Sequence, residues 1–401
     1  MYIPGEAEEI ITTLEANGHE AYLVGGCVRD ALMGRTPKDY DICTSALPQQ
    51  VILLFDKTIP TGVNHGTVTV MLRNLPFEVT TFRTDADYTD HRHPDTVLFS
   101  GSLLQDLERR DFTINAMAFH PVKGIIDPFD GLDDLRKKLI RTVGEPLKRF
   151  REDALRMLRA VRFKARFGFS VHKVVLDAIK ELAGTIRFVS RERILSEING
   201  ILLSPFPEEM SVIFQTGLSE YIFPACEAGI PSLYTLKLLP EKLQVRWAAL
   251  LREVGITGKE VIKTFCEGMK MSNTLSKDIL TLSGLLAETL PYTGYSVRKA
   301  VCEVGISLFN DALTIYETTC VSGIDFNAVR QLLDDITLRQ QCIHLADLAV
   351  NGTELIGEGY LAGKELGDLL DALFICVLQK PELNRKDILM EFARQMVTKT
   401  T

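Results

Sequence analysis

The chain has 401 residues, 46% of them apolar and 24% charged, which is typical of a globular protein with about two to four domains. Its apolar runs are shorter than the roughly 18 residues needed to cross a bilayer, and its first residues lack the features of a signal peptide. The eight cysteines form no Cys-x-x-Cys pair, which argues against a zinc site or a disulfide framework. We therefore expect a soluble protein with reduced thiols, located in the cytoplasm and not in a membrane.

Elements predicted in the first 140 residues combine helices with a small sheet. Apolar spacing near 3.6 residues indicates helices, and strict alternation indicates strands. In chain order, the predicted elements are a helix over 6–17, a strand over 21–24, a helix over 28–33 closed by Gly34, a strand over 39–43 and a β-hairpin over 66–82 with its turn at 74–76.

Helical periodicity dominates beyond about residue 140, where glycines and prolines separate the segments. No internal repeat or low-complexity stretch interrupts this part of the sequence. We therefore predict an α+β fold, with a small α/β head followed by an all-helical remainder. The predicted domains are a head over 1–137 and three helical domains over 138–202, 203–310 and 311–401.

Charge is distributed unevenly along the chain. The net charge is −8, yet the segment 136–166 holds 12 Lys or Arg residues against three acids, a local charge of 12 − 3 = +9. A compact basic zone on an acidic protein can guide a polyanion to one place. A solvated helix face is the simpler explanation of such a run taken alone, so the neighbouring motifs decide between the two.

The first candidate motif is Gly25-Gly26-Cys27-Val28-Arg29-Asp30, between a predicted strand and a predicted helix. Two glycines at such a turn let backbone N–H groups approach a phosphate, and a helix start favours negative charge. Arg29 follows in the first turn, where its guanidinium could hold the same phosphates. Most Gly-Gly pairs are simple turns, so this motif needs support from others.

Asp39 and Asp41 are two residues apart on a predicted strand, so both carboxylates are expected on the same face. Two adjacent anions repel each other, and divalent cations remove that repulsion. Mg²⁺ binds through one or two carboxylates plus substrate phosphates, and a pair of such ions can hold the attacking and leaving oxygens of a phosphoryl transfer. An isolated Asp-x-Asp is usually a solvated strand edge, but the upstream glycine turn and arginine favour a metal site. Glu78 is a candidate third carboxylate, with an exposed strand position as an equal alternative.

Further motifs follow in a fixed order, and together they resemble a known family. They are Arg109-Arg110-Asp111-Phe112-Thr113-Ile114-Asn115-Ala116, Asp127-Pro128-Phe129-Asp130-Gly131 and Glu152-Asp153-Ala154-Leu155-Arg156. With the two motifs above, this order is similar to that of the class II tRNA nucleotidyltransferases, the CCA-adding enzymes, and of their relatives the bacterial poly(A) polymerases. The resemblance covers about residues 20–165, and the segment 348–352 resembles the tail region of the bacterial CCA-adding members.

The resemblance implies a polymerase β-like head followed by a helical neck, body and tail, with the last two gripping tRNA. It implies template-independent, magnesium-dependent addition of CCA to the 3′ end of tRNA from CTP and ATP, with release of pyrophosphate. Asp39 and Asp41 would bind the catalytic metals. The incoming triphosphate would contact Gly26, Arg29 and Arg110, whereas Asp153 and Arg156 would read the base with support from Arg159 and Arg162.

Base reading by an Asp and an Arg is chemically sensible. Residues three apart lie about 60° apart around a helix, so Asp153, Arg156 and Arg159 are expected on one helix face. A carboxylate only accepts hydrogen bonds and a guanidinium only donates them. Cytosine and adenine both present an amine beside a ring nitrogen acceptor, whereas uracil and guanine present the opposite order. Such a pair therefore accepts C and A and refuses U and G.

The polar segment 84–97 is long for a connection inside a compact head, so we expect a mobile active-site loop. His91 and His93 within it lack a third zinc ligand nearby. The alternatives that stay open are enzymes that add only CC or only A, a bacterial poly(A) polymerase and a non-catalytic RNA-binding protein. The loop favours complete CCA addition over its partial relatives, and the intact Asp39 and Asp41 argue against the last alternative. The sequence leaves the oligomeric state open, including a homodimer.

Overall fold

A computed structural model of the chain describes residues 3–85, 97–224, 226, 231–319 and 324–398. Most of the predicted loop at 84–97, with His91 and His93, lies outside the described residues. The chain divides into two compact units, Met1–Lys237 with Gly268–Lys270 and Leu238–Glu267 with Met271–Thr401. The boundaries predicted near 137, 203 and 311 stay predictions.

Nine of the eleven described strands lie within residues 21–126, in the predicted head, whereas two strands of two residues each lie in the segment 138–202, which was predicted to be all-helical. The strands are β1 Ala21–Val24, β2 Asp41–Thr44, β3 Thr58–Gly62, β4 Thr67–Leu72, β5 Leu75–Thr81, β6 Arg83–Asp85, β7 Val97–Phe99, β8 Ala118–His120, β9 Gly124–Ile126, β10 Leu139–Ile140 and β11 Ser170–Val171. Among the described residues, seven strands form one sheet in the order β3-β4-β5-β2-β1-β8-β9, while β6 pairs with β7 and β10 with β11.

The first twelve α-helices surround and follow this sheet. They are α1 Gly5–Ala16, α2 Gly26–Leu32, α3 Pro48–Leu54, α4 Leu103–Glu108, α5 Gly131–Lys137, α6 Pro146–Glu152, α7 Leu155–Phe167, α8 Lys173–Leu182, α9 Arg191–Leu202, α10 Ser211–Gln215, α11 Ser219–Ile222 and α12 Thr235–Leu238.

The later α-helices complete the chain, and the part of it described after Val171 contains no further strand. They are α13 Leu243–Glu253, α14 Lys259–Gly268, α15 Asn273–Ala287, α16 Gly294–Val304, α17 Ile306–Thr319, α18 Phe326–Leu338, α19 Gly352–Gly357, α20 Lys364–Gln379 and α21 Lys386–Thr398. This α+β architecture confirms the predicted fold class. Across the described ranges, no helix combines the length and the apolar character that a membrane crossing requires.

The sheet separates two apolar cores of the first unit, and β1 contributes to both. Leu23 packs with the apolar face of α1, including Ile10, whereas its neighbours Tyr22 and Val24 pack on the opposite side. Successive side chains of a strand point to opposite faces, so a strand covered on both sides is apolar throughout. All four residues of β1 are buried, and the strand is thereby fixed as a rigid base for the turn that follows it.

Two predicted elements differ in detail from the structure. The turn of the hairpin lies at Arg73 and Asn74, both with positive φ, and not at 74–76. This is the two-residue geometry whose twist matches antiparallel strands. The strand predicted over 39–43 begins only at Asp41. On one side its partner β1 ends at Val24, where the chain turns away at Gly25. On the other side the register with β5 places residue 39 opposite Pro76, which has no N–H to donate.

The second unit is held by its own apolar core. Four of its fully buried residues pack together near the end of the chain, namely Leu355, Leu373, Val377 and Leu389. The start of α19 is fixed by a capping box, in which the Asn351 side chain accepts from the Glu354 N–H and the Glu354 side chain accepts from the Asn351 N–H. Such reciprocal bonds satisfy backbone donors that a helix start leaves free.

Candidate active site

The predicted site residues line one open cleft of the first unit, with a volume of about 510 Å³. The cleft lies where the turn before α2, the beginning of β2 and one side of α7 meet. All nine predicted residues border it, namely Gly26, Arg29, Asp39, Asp41, Arg110, Asp153, Arg156, Arg159 and Arg162. The structure therefore brings together residues that are up to 136 positions apart in sequence (162 − 26 = 136).

The acidic end of the cleft is formed by Asp39 and Asp41. Asp39 lies in a bend before β2, so the expectation that both carboxylates extend from one strand is wrong for Asp39. Both nevertheless border the cleft. Glu78 pairs with Asp41 across the parallel strands β2 and β5, and directly paired residues share a face of the sheet. Glu78 itself is exposed.

The electrostatics of Asp41 fit a site for a hard cation. The pKa of Asp41 is raised to about 6, mainly by burial and further by the negative charges of Asp39 and Glu78, against the opposing effect of Arg110. A divalent cation would relieve this repulsion, and carboxylate oxygens are the ligands that Mg²⁺ prefers. Among the described residues, no group of three or more His, Cys, Asp or Glu side chains is placed to hold a metal alone. A cation here would therefore need further ligands from substrate or water.

The glycine turn lies against an arginine of the second motif. Gly25 has φ +73 and ψ −127, a backbone conformation open essentially to glycine. A Cβ atom at this position would lie 2.8 Å from Nη1 of Arg110. Nη2 of Arg110 donates to Oδ2 of the buried Asp106 at 3.1 Å, and its buried Nε has no partner in the described structure. Arg110 is thus held against the turn by Asp106, and its Nε–H is a hydrogen-bond donor that the described residues leave unused.

Arg29 is buried beneath the turn and does not project from it. Its Nε donates to Oδ1 of Asp30 at 2.8 Å, and its Nη1 donates to Oδ1 of Asn115. Oδ2 of Asp30 accepts from Nη2 of Arg166 on α7 at 3.0 Å. The guanidinium of Arg29 also lies 4.8 Å from the ring centre of Phe167, a cation–π distance. These contacts join the turn to α7.

Asp111 anchors the middle of α7 to the head. Its Oδ2 accepts from Nε of Arg159 at 2.7 Å, and its Oδ1 accepts from Nδ2 of Asn115 at 3.0 Å. Burial alone would raise the pKa of Asp111, but Arg159, Asn115 and Arg156 outweigh it and hold the pKa at about 2. Asp111 is therefore a carboxylate at any physiological pH. Arg159 and Arg29 are linked through one chain of hydrogen bonds.

Asp153 and Arg156 lie close together but not on one helix. Asp153 has an extended backbone (φ −145, ψ 105) between α6 and α7, so the predicted shared helix face is wrong for this residue. Its Oδ1 accepts from the N–H of Leu155, the first residue of α7, at 3.1 Å, and so satisfies one backbone donor that a helix start leaves free. Arg156 is in the first turn of α7, where Nη1 donates to Glu152 at 2.5 Å and Nη2 to the Arg109 carbonyl at 3.0 Å.

Sequence reasoning missed several residues of the cleft. Those bordering it without having been predicted as site residues include Lys38, Asp111, Asn115, Phe163, Arg166 and Arg193. Asp111 and Asn115 stand inside the motif 109–116, where their polar side chains are the signal that marks them as site residues. Phe163 has the helical spacing of a core residue, and Arg193 lies 40 positions from its partner Asp153 (193 − 153 = 40). No local pattern marks either one.

Comparisons with known proteins find relatives along the whole length of the chain. Residues 21–141 match the family model described as "Poly A polymerase head domain", and residues 240–393 match a model for tRNA nucleotidyltransferase domain 2. The CCA-adding enzyme of Geobacillus stearothermophilus is 36% identical over 95% of this chain and 94% of its own length. The CCA-adding enzyme of Leuconostoc citreum is 34% identical over 98% and 96%.

Solved structures show the same relationship. The crystal structure of the Bacillus stearothermophilus CCA-adding enzyme in complex with CTP superposes with a TM-score of 0.81 at 33% identity, and all of both chains is covered. The Thermotoga maritima CCA-adding enzyme complexed with tRNA shares the fold, with a TM-score of 0.70 at 22% identity over 98% of this chain and 95% of that one. The fold and the cleft define a nucleotidyltransferase. The chain belongs to the family of the CCA-adding enzymes, as these whole-length relatives show.

Proposed function

We propose that this chain adds C, C and A in turn to the 3′ end of tRNA, with CTP and ATP as substrates, Mg²⁺ as cofactor and pyrophosphate as the second product. The observation that carries the proposal is the single cleft of about 510 Å³. An acidic end suited to a cation, arginines suited to a triphosphate and a carboxylate–guanidinium pair suited to a base all border it.

Different residues of the cleft serve different parts of the reaction. The 3′-hydroxyl of the RNA loses its proton to water as its oxygen attacks the α-phosphorus of the nucleotide, and the bond from that phosphorus to the α,β-bridging oxygen breaks to release pyrophosphate. Asp39 and Asp41 would hold Mg²⁺, which lowers the pKa of the hydroxyl and stabilises charge on the leaving group when it is bound. Arg110, which borders the cleft, binds the triphosphate beside the backbone of Gly26. Arg29 supports the turn from below through Asp30 and Asn115.

Nucleotide choice follows from Asp153 and Arg156. Asp153 accepts a hydrogen bond from the exocyclic amine of C or A, and Arg156 donates to the adjacent ring nitrogen. Uracil and guanine would place an N–H against the guanidinium and a carbonyl against the carboxylate, which leaves desolvated polar groups unpaired. Arg159 and Arg162, held by Asp111 and Glu197, support the wall on which the base rests. The protein thereby takes the place of a template.

The domain roles extend this proposal along the chain. We assign catalysis to 1–137, base selection to 138–202 and tRNA binding to 203–310 and 311–401. The neck fits an RNA partner because several of its arginines border the cleft. RNA helices are recognised mainly through shape and phosphates, so such charges guide the acceptor end toward the site.

Product analysis tests the function directly. Purified protein is incubated with tRNA that lacks CCA, Mg²⁺ and each labelled nucleotide, separately and together. We expect two C residues with CTP alone and three added residues with CTP and ATP. Arrest after CC would identify a partial enzyme, and a long A tract with ATP alone would identify a poly(A) polymerase. Absence of any addition with active control tRNA would contradict the proposal.

Substitution of Gly25 is expected to weaken the binding of CTP and ATP, an effect that a control glycine elsewhere distinguishes from loss of stability. Gly25→Ala introduces a Cβ 2.8 Å from Arg110 at a backbone angle that disfavours it, so we expect the KM for CTP and ATP to rise about tenfold or more, which corresponds to about 1.4 kcal/mol. Gly34→Ala is the matched control, since Gly34 has φ +72 with nothing within 4 Å of its Cβ position. Both should lower the Tm, Gly25→Ala by more than Gly34→Ala because of its contact with Arg110. Equal KM values in the two variants would show that the turn does not serve the triphosphate.

A further inference from the structure

One face of α9 supports the base-selecting wall of the cleft. Arg193 and Glu197 are four residues apart on this helix, so they lie on the same side. Arg193 donates to Asp153, and Glu197 accepts from Nε of Arg162 at 2.5 Å. Gly200 continues the same face, where a Cβ would lie 2.7 Å from Cδ of Arg162. This face of α9, made by Arg193, Glu197 and Gly200, therefore fits closely against the residues that border the cleft.

The contact between Arg193 and Asp153 is bidentate. Nη1 of Arg193 lies 3.3 Å from Oδ1 of Asp153, and Nη2 lies 2.8 Å from Oδ2. Paired N–H donors in this arrangement fix both the position and the plane of a carboxylate. The backbone of Asp153 lies between two helices and not within one, so its side chain needs such support from elsewhere.

The remaining acceptor capacity of Asp153 is limited. A carboxylate has about four acceptor sites, two on each oxygen. Arg193 occupies one site on each oxygen, and the Leu155 N–H occupies the second site on Oδ1 at 3.1 Å. Within the described structure, the free acceptor site is therefore on Oδ2. A single free acceptor in a fixed plane matches a single N–H of an exocyclic amine.

We propose that Arg193 is a positioning residue for nucleotide choice, which holds Asp153 so that Oδ2 faces the amine of C or A. This inference rests on the proposed function, in which Asp153 reads the base. Arg193 acts through Asp153 and not on the reacting atoms. Arg193 itself borders the cleft, so it holds the carboxylate at the place where the base would enter.

The test compares incorporation of CTP and UTP by the full chain on tRNA lacking CCA. We expect Arg193→Ala to lower the ratio of kcat/KM for CTP over UTP by about 10- to 100-fold, the loss expected for a charge-assisted hydrogen bond. Arg193→Lys keeps the charge but not the paired donors, so it should restore part of the ratio. In Asp153→Ala, the further change Arg193→Ala should have little effect on the ratio, because its target is already absent.

Controls separate this role from a structural one and from the function itself. Arg187→Ala removes an exposed arginine from the neighbouring 3₁₀ turn Ala183–Phe188 and should leave the ratio unchanged. A Tm for Arg193→Ala within a few degrees of the wild type would exclude unfolding as the cause of relaxed choice. An unchanged ratio in Arg193→Ala would overturn the inference and leave the proposed function standing. Failure of the wild type to add C or A would overturn the proposed function as well.

Discussion

Replacing Asp41 with alanine is expected to abolish the addition of both C and A. The residue lies at the acidic end of the cleft, where Asp39 and Glu78 add to its negative field. Loss of a cation that stabilises transition-state charge by several kcal/mol lowers the rate by about 1,000-fold or more. Asp39→Ala should act in the same way. The measurement is the rate of incorporation of labelled CTP and ATP with Mg²⁺ at saturating tRNA.

The fold and the affinity for tRNA should survive these changes. Burial and the charges of its neighbours oppose the ionised form of Asp41, so Asp41→Asn should have a Tm at least as high as the wild type in the absence of metal. Asp56→Ala, at an exposed position near the same sheet, is the matched control and should keep full activity. Retention of more than a few per cent of activity in Asp39→Ala or Asp41→Ala would refute the metal assignment.

Replacing Asp153 or Arg156, the base-reading pair, should have the second largest effect. It should change the selectivity among nucleotides more than the rate of addition. Asp153→Ala removes the acceptor for the amine, so UTP and GTP should be incorporated at a reduced absolute rate but at a much higher rate relative to CTP and ATP. A site built to pair polar groups rejects a mismatched partner by about 10⁴-fold, and much of that rejection should disappear. The measurement is kcat/KM for all four nucleotides.

Arg156→Ala should relax choice in the same direction, with an added loss of stability. Its guanidinium holds Glu152 and the carbonyls of Arg109 and Arg149, and these acceptors would lose their partner in a buried setting. Arg136→Ala removes the same charge from an exposed position of the basic segment and should leave selectivity unchanged. Unaltered discrimination with normal kinetics in both Asp153→Ala and Arg156→Ala would exclude base reading by this pair.

Much of the head can be predicted from sequence because its signals are local. The strand β1 is predicted at its observed bounds, since four apolar residues followed by two glycines specify a buried strand and a turn. The hairpin register follows from alternation, and Val68, Val70, Phe77 and Val79 are buried as the pattern requires. The predicted turn lies slightly too late in the chain, because Pro76 indicates a turn but stands within β5.

The parts that sequence could not predict depend on contacts between distant segments. The helical spacing of Asp153 and Arg156 suggests one continuous helix, but Asp153 has an extended backbone between α6 and α7, where its side chain bonds to the Leu155 N–H and to Arg193. Asp39 lies outside its predicted strand because β1 has already turned away on one side and Pro76 of β5 offers no N–H on the other. The support from α9 has no local signal, since Arg193 and Gly200 are ordinary helix residues until their partners are known.

The most direct test of the central claim uses three tRNA substrates, which end before the first C, after the first C and after the second C. Each is mixed with one nucleotide at a time under single-turnover conditions with Mg²⁺. If one protein pocket selects C and A without a template, the first two substrates should take C, the third should take A, and none should take U or G at a comparable rate. Incorporation of U or G at rates similar to C or A, or a choice that does not change after the second C, would contradict the account.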